Sequence, residues 1–206
     1  HSSAVTRSVG GGWSEMSSGP QRASERLPQL TGCPYQLLKK LGESASAWIF
    51  IAEGCAGAPA ELLGRRIALK LRKRSPDPEQ EIITAARFRR GAELQRSCAH
   101  EGLLPAKDYR EGPWGALLVT PLCEGGSLRA RILREGPLPW RSVIELGLRL
   151  LGALELLAER GLVHRDIKPE NILFEQAEGA IEEACLSDFG IARSLRNNRA
   201  LTAPGF

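Results

Sequence analysis

The sequence predicts an α+β fold with two lobes, a strand-rich first part followed by an incomplete helical second part. Three observations support this. Short apolar runs at 35–41, 47–51 and 66–71 are separated by turn formers, as in consecutive antiparallel strands. Val143, Leu146, Leu150, Leu154 and Leu157 recur at helical spacing across 139–160. Between these regions Glu124-Gly125-Gly126 interrupts the apolar pattern at the point where its period changes.

Taken in order, residues 1–32 are rich in Ser, Gly and charge with hardly any apolar periodicity, which predicts a disordered lead-in. Order is expected from about Tyr35. Residues 54–64 form a longer loop between two strands. Pro76 and Pro78 punctuate the chain before a run of helix formers from Glu79 to about Cys98, with proline suited to the first turn. Two further strands are expected near 103–109 and 115–120. Ser127 is placed to cap a short helix, ahead of the long one at 139–160. The first lobe is assigned to 33–121 and the second to 122–206.

The charge balance excludes an obvious polyanion partner. Lys and Arg number 28 against 24 Asp and Glu, a net charge of +4, too even to make nucleic acid the default. Arg65, Arg66, Lys70, Arg72, Lys73 and Arg74 cluster, for which a nucleic-acid patch is one reading; the absence of interleaved aromatics favours a solvated strand edge. The five cysteines contain no C-x-x-C pair, so reduced thiols in a cytoplasmic protein are expected rather than zinc or disulfides. The most apolar stretch, 143–158, is interrupted by Glu145, Arg149 and Glu155 and is too short for a membrane segment. A chain beginning at His1 is read as part of a longer protein.

Chemistry concentrates in 162–174, where apolar ends flank His164-Arg165-Asp166-Ile167-Lys168-Pro169-Glu170-Asn171, and in Asp188-Phe189-Gly190, which starts fourteen residues past Phe174. Singly, each piece has a bland reading: a core histidine, a surface salt bridge, a turn. Together and in this order they resemble the protein kinase family, whose catalytic loop is H-R-D-x-K-x-x-N and whose metal loop is D-F-G. The resemblance implies ATP and Mg²⁺ as cofactors and Ser or Thr hydroxyls of proteins as acceptors. By that resemblance Asp166 is the catalytic carboxylate and Lys168 neutralises charge on the γ-phosphate. Asn171 and Asp188 supply hard oxygen ligands to the metal. Lys168, two residues after Asp166, fits serine/threonine rather than tyrosine kinases.

Upstream, Ile67-Ala68-Leu69-Lys70 resembles the strand that presents a lysine to the nucleotide phosphates. The same resemblance makes Thr120 the residue behind the adenine pocket. It assigns a carbonyl of Pro121 and the N–H of Cys123 to adenine, Glu124 to the ribose, and Gly42 to the phosphate loop.

Three departures accompany the match. The glycine-rich loop reads Gly42-Glu43-Ser44-Ala45-Ser46-Ala47, keeping only its first glycine. Laying Arg87-Phe88-Arg89-Arg90 on the family pattern puts Gly91 where a glutamate pairs with the strand lysine. Glu93, two positions on, is rotated by about 200° and faces away, while Glu79 and Glu81 lie turns distant. The chain also stops inside what resembles the activation segment, so exposed apolar surface and an inactive isolated chain are expected. Thr202 and Ser194 are the hydroxyls available there for phosphorylation. The rivals to an active kinase are a pseudokinase, acting as a nucleotide-binding or scaffold module, and a small-molecule phosphotransferase of similar fold.

Overall fold

The computed structural model describes residues 26–44, 46–177, 179–188 and 193–194. A five-stranded antiparallel sheet forms the first lobe from β1 (Tyr35–Glu43), β2 (Ala47–Gly54), β3 (Arg66–Arg72), β4 (Asp108–Gly112) and β5 (Gly115–Pro121), in the spatial order β1-β2-β3-β5-β4. Helix α1 (Pro78–Ser97) lies between β3 and β4 in sequence. The second lobe holds β6 (Gly126–Ser127), α2 (Leu128–Glu135), α3 (Trp140–Glu159), β7 (Leu162–Val163), β8 (Ile172–Phe174) and β9 (Cys185–Leu186). β10 (Arg193–Ser194) pairs antiparallel with β7.

Strand alternation gives β3 two different faces. Ile67, Leu69 and Leu71 enter an apolar cluster with Tyr35, Phe50, Leu117 and Val119. Lys70 and Arg72 project to the opposite face, toward α1 and the cleft. The second core gathers Leu146, Ala153 and Leu157 of α3 against Leu103, Leu128, Ile172, Phe174 and Leu186. It supports the loop between β7 and β8 from below. Arg149 of α3 adds polar anchors, donating from Nε to the Ala184 carbonyl at 2.8 Å and from Nη2 to the Glu101 carbonyl at 2.6 Å.

Helix ends follow local chemistry. Asp77 caps α1 by accepting from the Glu79 N–H at 3.0 Å, with Pro78 at the first helical position. Ser127 caps α2 through the Ala130 N–H at 3.2 Å, and Gly136 ends that helix at φ 86°. The sheet is joined across its width as well: the Tyr35 hydroxyl of β1 donates to Asp108 Oδ2 of β4 at 2.6 Å.

Three expectations need correction. The strand expected at 103–109 begins only at Asp108; Leu103 makes a single bridge to Leu186, and Pro105, which lacks an N–H, stops that ladder. Within the stretch 1–32 read as disordered, Leu27 and Leu30 pack on the sheet core, because two leucines suffice to cover Trp48 and Trp114 without any periodic pattern; residues 1–25 lie outside the described residues. Arg72, grouped with the solvated basic edge, is buried at 6% exposure.

Exposed apolar surface does occur: Trp140, Ile144, Leu148 and Leu151 form a stripe along the outer side of α3. No helix among the described residues is long and apolar enough to cross a membrane. All five cysteines are free thiols.

Candidate active site

The segment between β7 and β8 is fixed by a buried histidine. His164 is 1% exposed, and its Nδ1 accepts from the Asp166 N–H at 3.3 Å. Nε2 therefore carries the proton and donates to the Ser187 carbonyl at 3.0 Å. Burial holds this imidazole below its ordinary pKa, consistent with a neutral ring. Ser187 in turn donates its hydroxyl to the Asn171 carbonyl at 2.9 Å, and its N–H bonds the same oxygen at 2.8 Å. The two loops are thus locked together through His164 and Ser187, immediately beside Asp188. Arg165 at φ 70° and Asp188 at φ 68° are the non-glycine residues with left-handed backbone among those described, and they flank the polar centre.

Around Asp166 the groups converge. Lys168 Nζ donates to Asp166 Oδ2 at 2.8 Å, and Asn171 Nδ2 donates both to that oxygen and to the Asp166 carbonyl, each at 2.8 Å. The Lys168 hydrogen bond, ahead of that from Asn171, keeps the Asp166 carboxyl below the usual carboxylate range. The same contact raises Lys168 above the usual lysine range. Asp166 is an anion at neutral pH, able to orient a hydroxyl and accept its proton, and Lys168 is a cation beside it.

Across the cleft Lys70 Nζ meets Asp188 Oδ1 at 2.8 Å. Both line a cavity of about 200 Å³, together with Thr120, Asn171, Ser187 and the α1 residues Phe88, Gly91, Ala92 and Gln95. Gly91 therefore faces the lysine from the helix, and Glu93 is exposed on the outer side, as its helical phase requires. Because the Asn171 amide nitrogen is committed to Asp166, its Oδ1 is the end left to meet a cation, next to the Asp188 carboxylate. One amide oxygen and one carboxylate form a donor set suited to Mg²⁺, which completes its shell with water and phosphate oxygens.

The remaining sequence candidates lie apart from this cavity. Pro121 ends β5, opposite Ile67. Cys123 and Glu124 follow it, with the Glu124 N–H bonded to the Glu175 carbonyl at 2.9 Å and the Glu124 side chain exposed. Burial pushes the Cys123 thiol up to about 12, so it is neutral. Gly42 is half-buried in the β1 end of the phosphate-loop segment. That segment forms a closed turn: the Ser44 N–H donates to the Ala47 carbonyl at 2.8 Å, and the Ala47 N–H donates to Ser44 Oγ at 3.1 Å. Lys73 secures it by donating to the Ser44 carbonyl at 2.9 Å.

Sequence reasoning missed two features. Arg72 reaches Glu81 with both terminal nitrogens, and Gln95, 4% exposed, donates to the Leu104 carbonyl at 2.9 Å from the cavity wall. The signal for Arg72 was its alternation with Lys70 on one strand face. The signal for Gln95 was its position one turn beyond Gly91.

Comparison with known proteins agrees with this arrangement. A family model described as protein kinase domain matches residues 35–204. The chain is 31% identical over 166 residues to the serine/threonine-protein kinase pkn2 of Myxococcus xanthus, covering 81% of this chain and 19% of that protein. It is 32% identical over 173 residues to the serine/threonine-protein kinase PknD of Mycobacterium tuberculosis, covering 83% of this chain and 24% of that one. PknL of the same organism is 34% identical over 133 residues, 65% of this chain and 32% of that protein. The chain thus spans between about a fifth and a third of the length of these relatives. With the catalytic-loop network, the metal-loop aspartate and the strand lysine assembled in one cleft, the chain belongs to the protein kinase family.

Proposed function

We propose that the protein carrying this chain is an ATP-dependent serine/threonine protein kinase. The observation that carries this reading is the joined pair of networks, Lys168–Asp166–Asn171 on one side of the cleft and Lys70–Asp188 on the other. In the proposed reaction Asp166 orients a substrate Ser or Thr hydroxyl and takes its proton as the oxygen bonds to the γ-phosphorus. The bond from that phosphorus to the β,γ-bridging oxygen breaks and ADP leaves. Lys168 offsets charge on the transferred group, and Lys70 holds the phosphates. Asn171 and Asp188 would hold Mg²⁺, which supplies phosphate charge neutralisation when bound. Gly42, Pro121, Cys123 and Glu124 are proposed nucleotide contacts on phosphate, adenine and ribose. Protein substrates follow from the Lys168 spacing and from the names of the relatives. A cytoplasmic setting suits five unpaired thiols.

The test is phosphate incorporation from γ-labelled ATP by the full-length protein, beside Asp166→Asn. The variant is expected to lose ~10²–10⁴-fold in rate with little change in nucleotide affinity. Equal incorporation by both forms removes the kinase reading. Gly91 and the closed Ser44–Ala47 turn favour a second reading, a pseudokinase that binds nucleotide or partners without transfer. Nucleotide binding with no Asp166-dependent incorporation selects it.

A further inference from the structure

Helix α1 presents glycine, not an acid, to Lys70, so the lysine does not tie the helix to the sheet. A different connection does. Arg72 lies two residues beyond Lys70 on the same face of β3 and is 6% exposed. Its Nη1 donates to Glu81 Oε2 at 2.8 Å and its Nη2 to Glu81 Oε1, a two-pronged match of guanidinium to carboxylate. Nη1 also donates to the Lys73 carbonyl at 3.2 Å, while Nε has no partner, so Glu81 is the only anion hydrogen-bonded to this buried cation among the described residues. Glu81 is fixed from its other side by the Ser75 N–H at 2.7 Å. Helical spacing then makes the consequence directional: Glu81, Phe88, Gly91 and Gln95 share one stripe of α1, and the last three wall the Lys70 cavity.

Resting on the kinase reading above, we propose that Arg72 and Glu81 are positioning residues. They hold α1 over the nucleotide site in place of a lysine–glutamate link and leave Lys70 to Asp188 and the phosphates. The anchor sits about 15 Å along the helix axis from Gly91, since ten residues separate Glu81 from Gly91 at ~1.5 Å each. It sets the approach of the helix while Phe88, Gly91 and Gln95 of its distal half wall the cavity without offering Lys70 an acid. Glu81, held down to about 2 by Arg72 and then by Ser75, stays charged across the physiological range, so the anchor is not gated by protonation.

The test uses the full-length protein and two readouts, Mg²⁺-ATP affinity by calorimetry and hydrogen exchange of α1 amides without nucleotide. Glu81→Gln is expected to raise exchange across α1 and to weaken Mg²⁺-ATP about tenfold, a typical loss for misplaced binding groups. Adding Gly91→Glu to Glu81→Gln supplies an acid opposite Lys70 and is expected to recover most of that affinity; Gly91→Gln in the same background is not. Unchanged affinity and exchange in Glu81→Gln overturns the proposal. So does a loss that Gly91→Glu and Gly91→Gln leave alike, which marks Glu81 as a stability residue only. Should wild type bind no Mg²⁺-ATP, the kinase reading itself fails, and exchange in Glu81→Gln alone decides whether the pair anchors α1.

Discussion

Lys70 Nζ contacts Asp188 Oδ1 at 2.8 Å across 118 residues of sequence, and no acid from α1 lines the cavity they share. The pair joins the strand lobe directly to the segment that follows β9. Both charges are proposed to meet the nucleotide, one through phosphate and one through Mg²⁺, and this separates their effects. Asp188→Asn is expected to erase the difference between ATP affinity with and without Mg²⁺. Lys70→Met is expected to weaken both and to slow phosphate transfer by ~10²–10³, the scale of one lost charge-stabilising donor. Calorimetry with and without the metal checks the first, and labelled-ATP incorporation checks the second.

The phosphate-loop turn consumes its own amide at Ala47 through Ser44 Oγ. Ser44→Gly with Ala47→Gly removes that acceptor and loosens the backbone, which frees N–H groups to approach phosphate. ATP affinity is expected to rise by roughly threefold to tenfold, partly offset by the cost of ordering a more flexible loop. A titration with a fluorescent ATP analogue reads the change.

Acid should reveal the Arg72–Glu81 pair. Glu81 falls from an ordinary 4.5 to about 2 in the folded protein, chiefly through Arg72. A lowered folded pKa contributes stability that is complete above 4.5 and is lost as pH falls through about 2. The thermal-midpoint difference between wild type and Glu81→Gln is therefore expected to be constant above pH 4.5, to shrink below it and to vanish near pH 2. A series of melts between those limits measures it.

Leu157, 1% exposed in the α3 core, supports the strands that carry the catalytic loop. Leu157→Ala is expected to cost about 2–5 kcal/mol, by lost transfer energy plus the cavity left behind. Denaturant unfolding gives the value.

The cluster at Asp166 was legible because its contacts are local: Asp166, Lys168 and Asn171 fall within six residues, and their contacts close within that span. Helix α1 was legible for the same reason, with Pro78 in its first turn and helix formers running on from Glu79. What escaped depended on partners distant in sequence. Arg72 looked like one more surface cation, and only the fold brings α1 across it. Leu27 and Leu30 looked like stray apolar residues in a polar leader until the tryptophans beneath them appeared. Leu103 and Leu104 had strand composition, but Pro105 and the neighbouring β9 fixed them as a bridge.

The Tyr35–Asp108 hydrogen bond joins the first and last strands of the sheet order, the two whose outer rims would otherwise lie open. Arg110 reinforces the junction, donating from Nε to Asp108 Oδ2 at 2.8 Å and from Nη2 to the Gly57 carbonyl at 3.4 Å. Unpaired strand rims template the addition of foreign chains and seed fibrils. A side-chain tie between β1 and β4 restrains both rim strands from peeling away from the sheet, so Tyr35 is expected to limit the exposure of such a template as well as to hold the first strand in place.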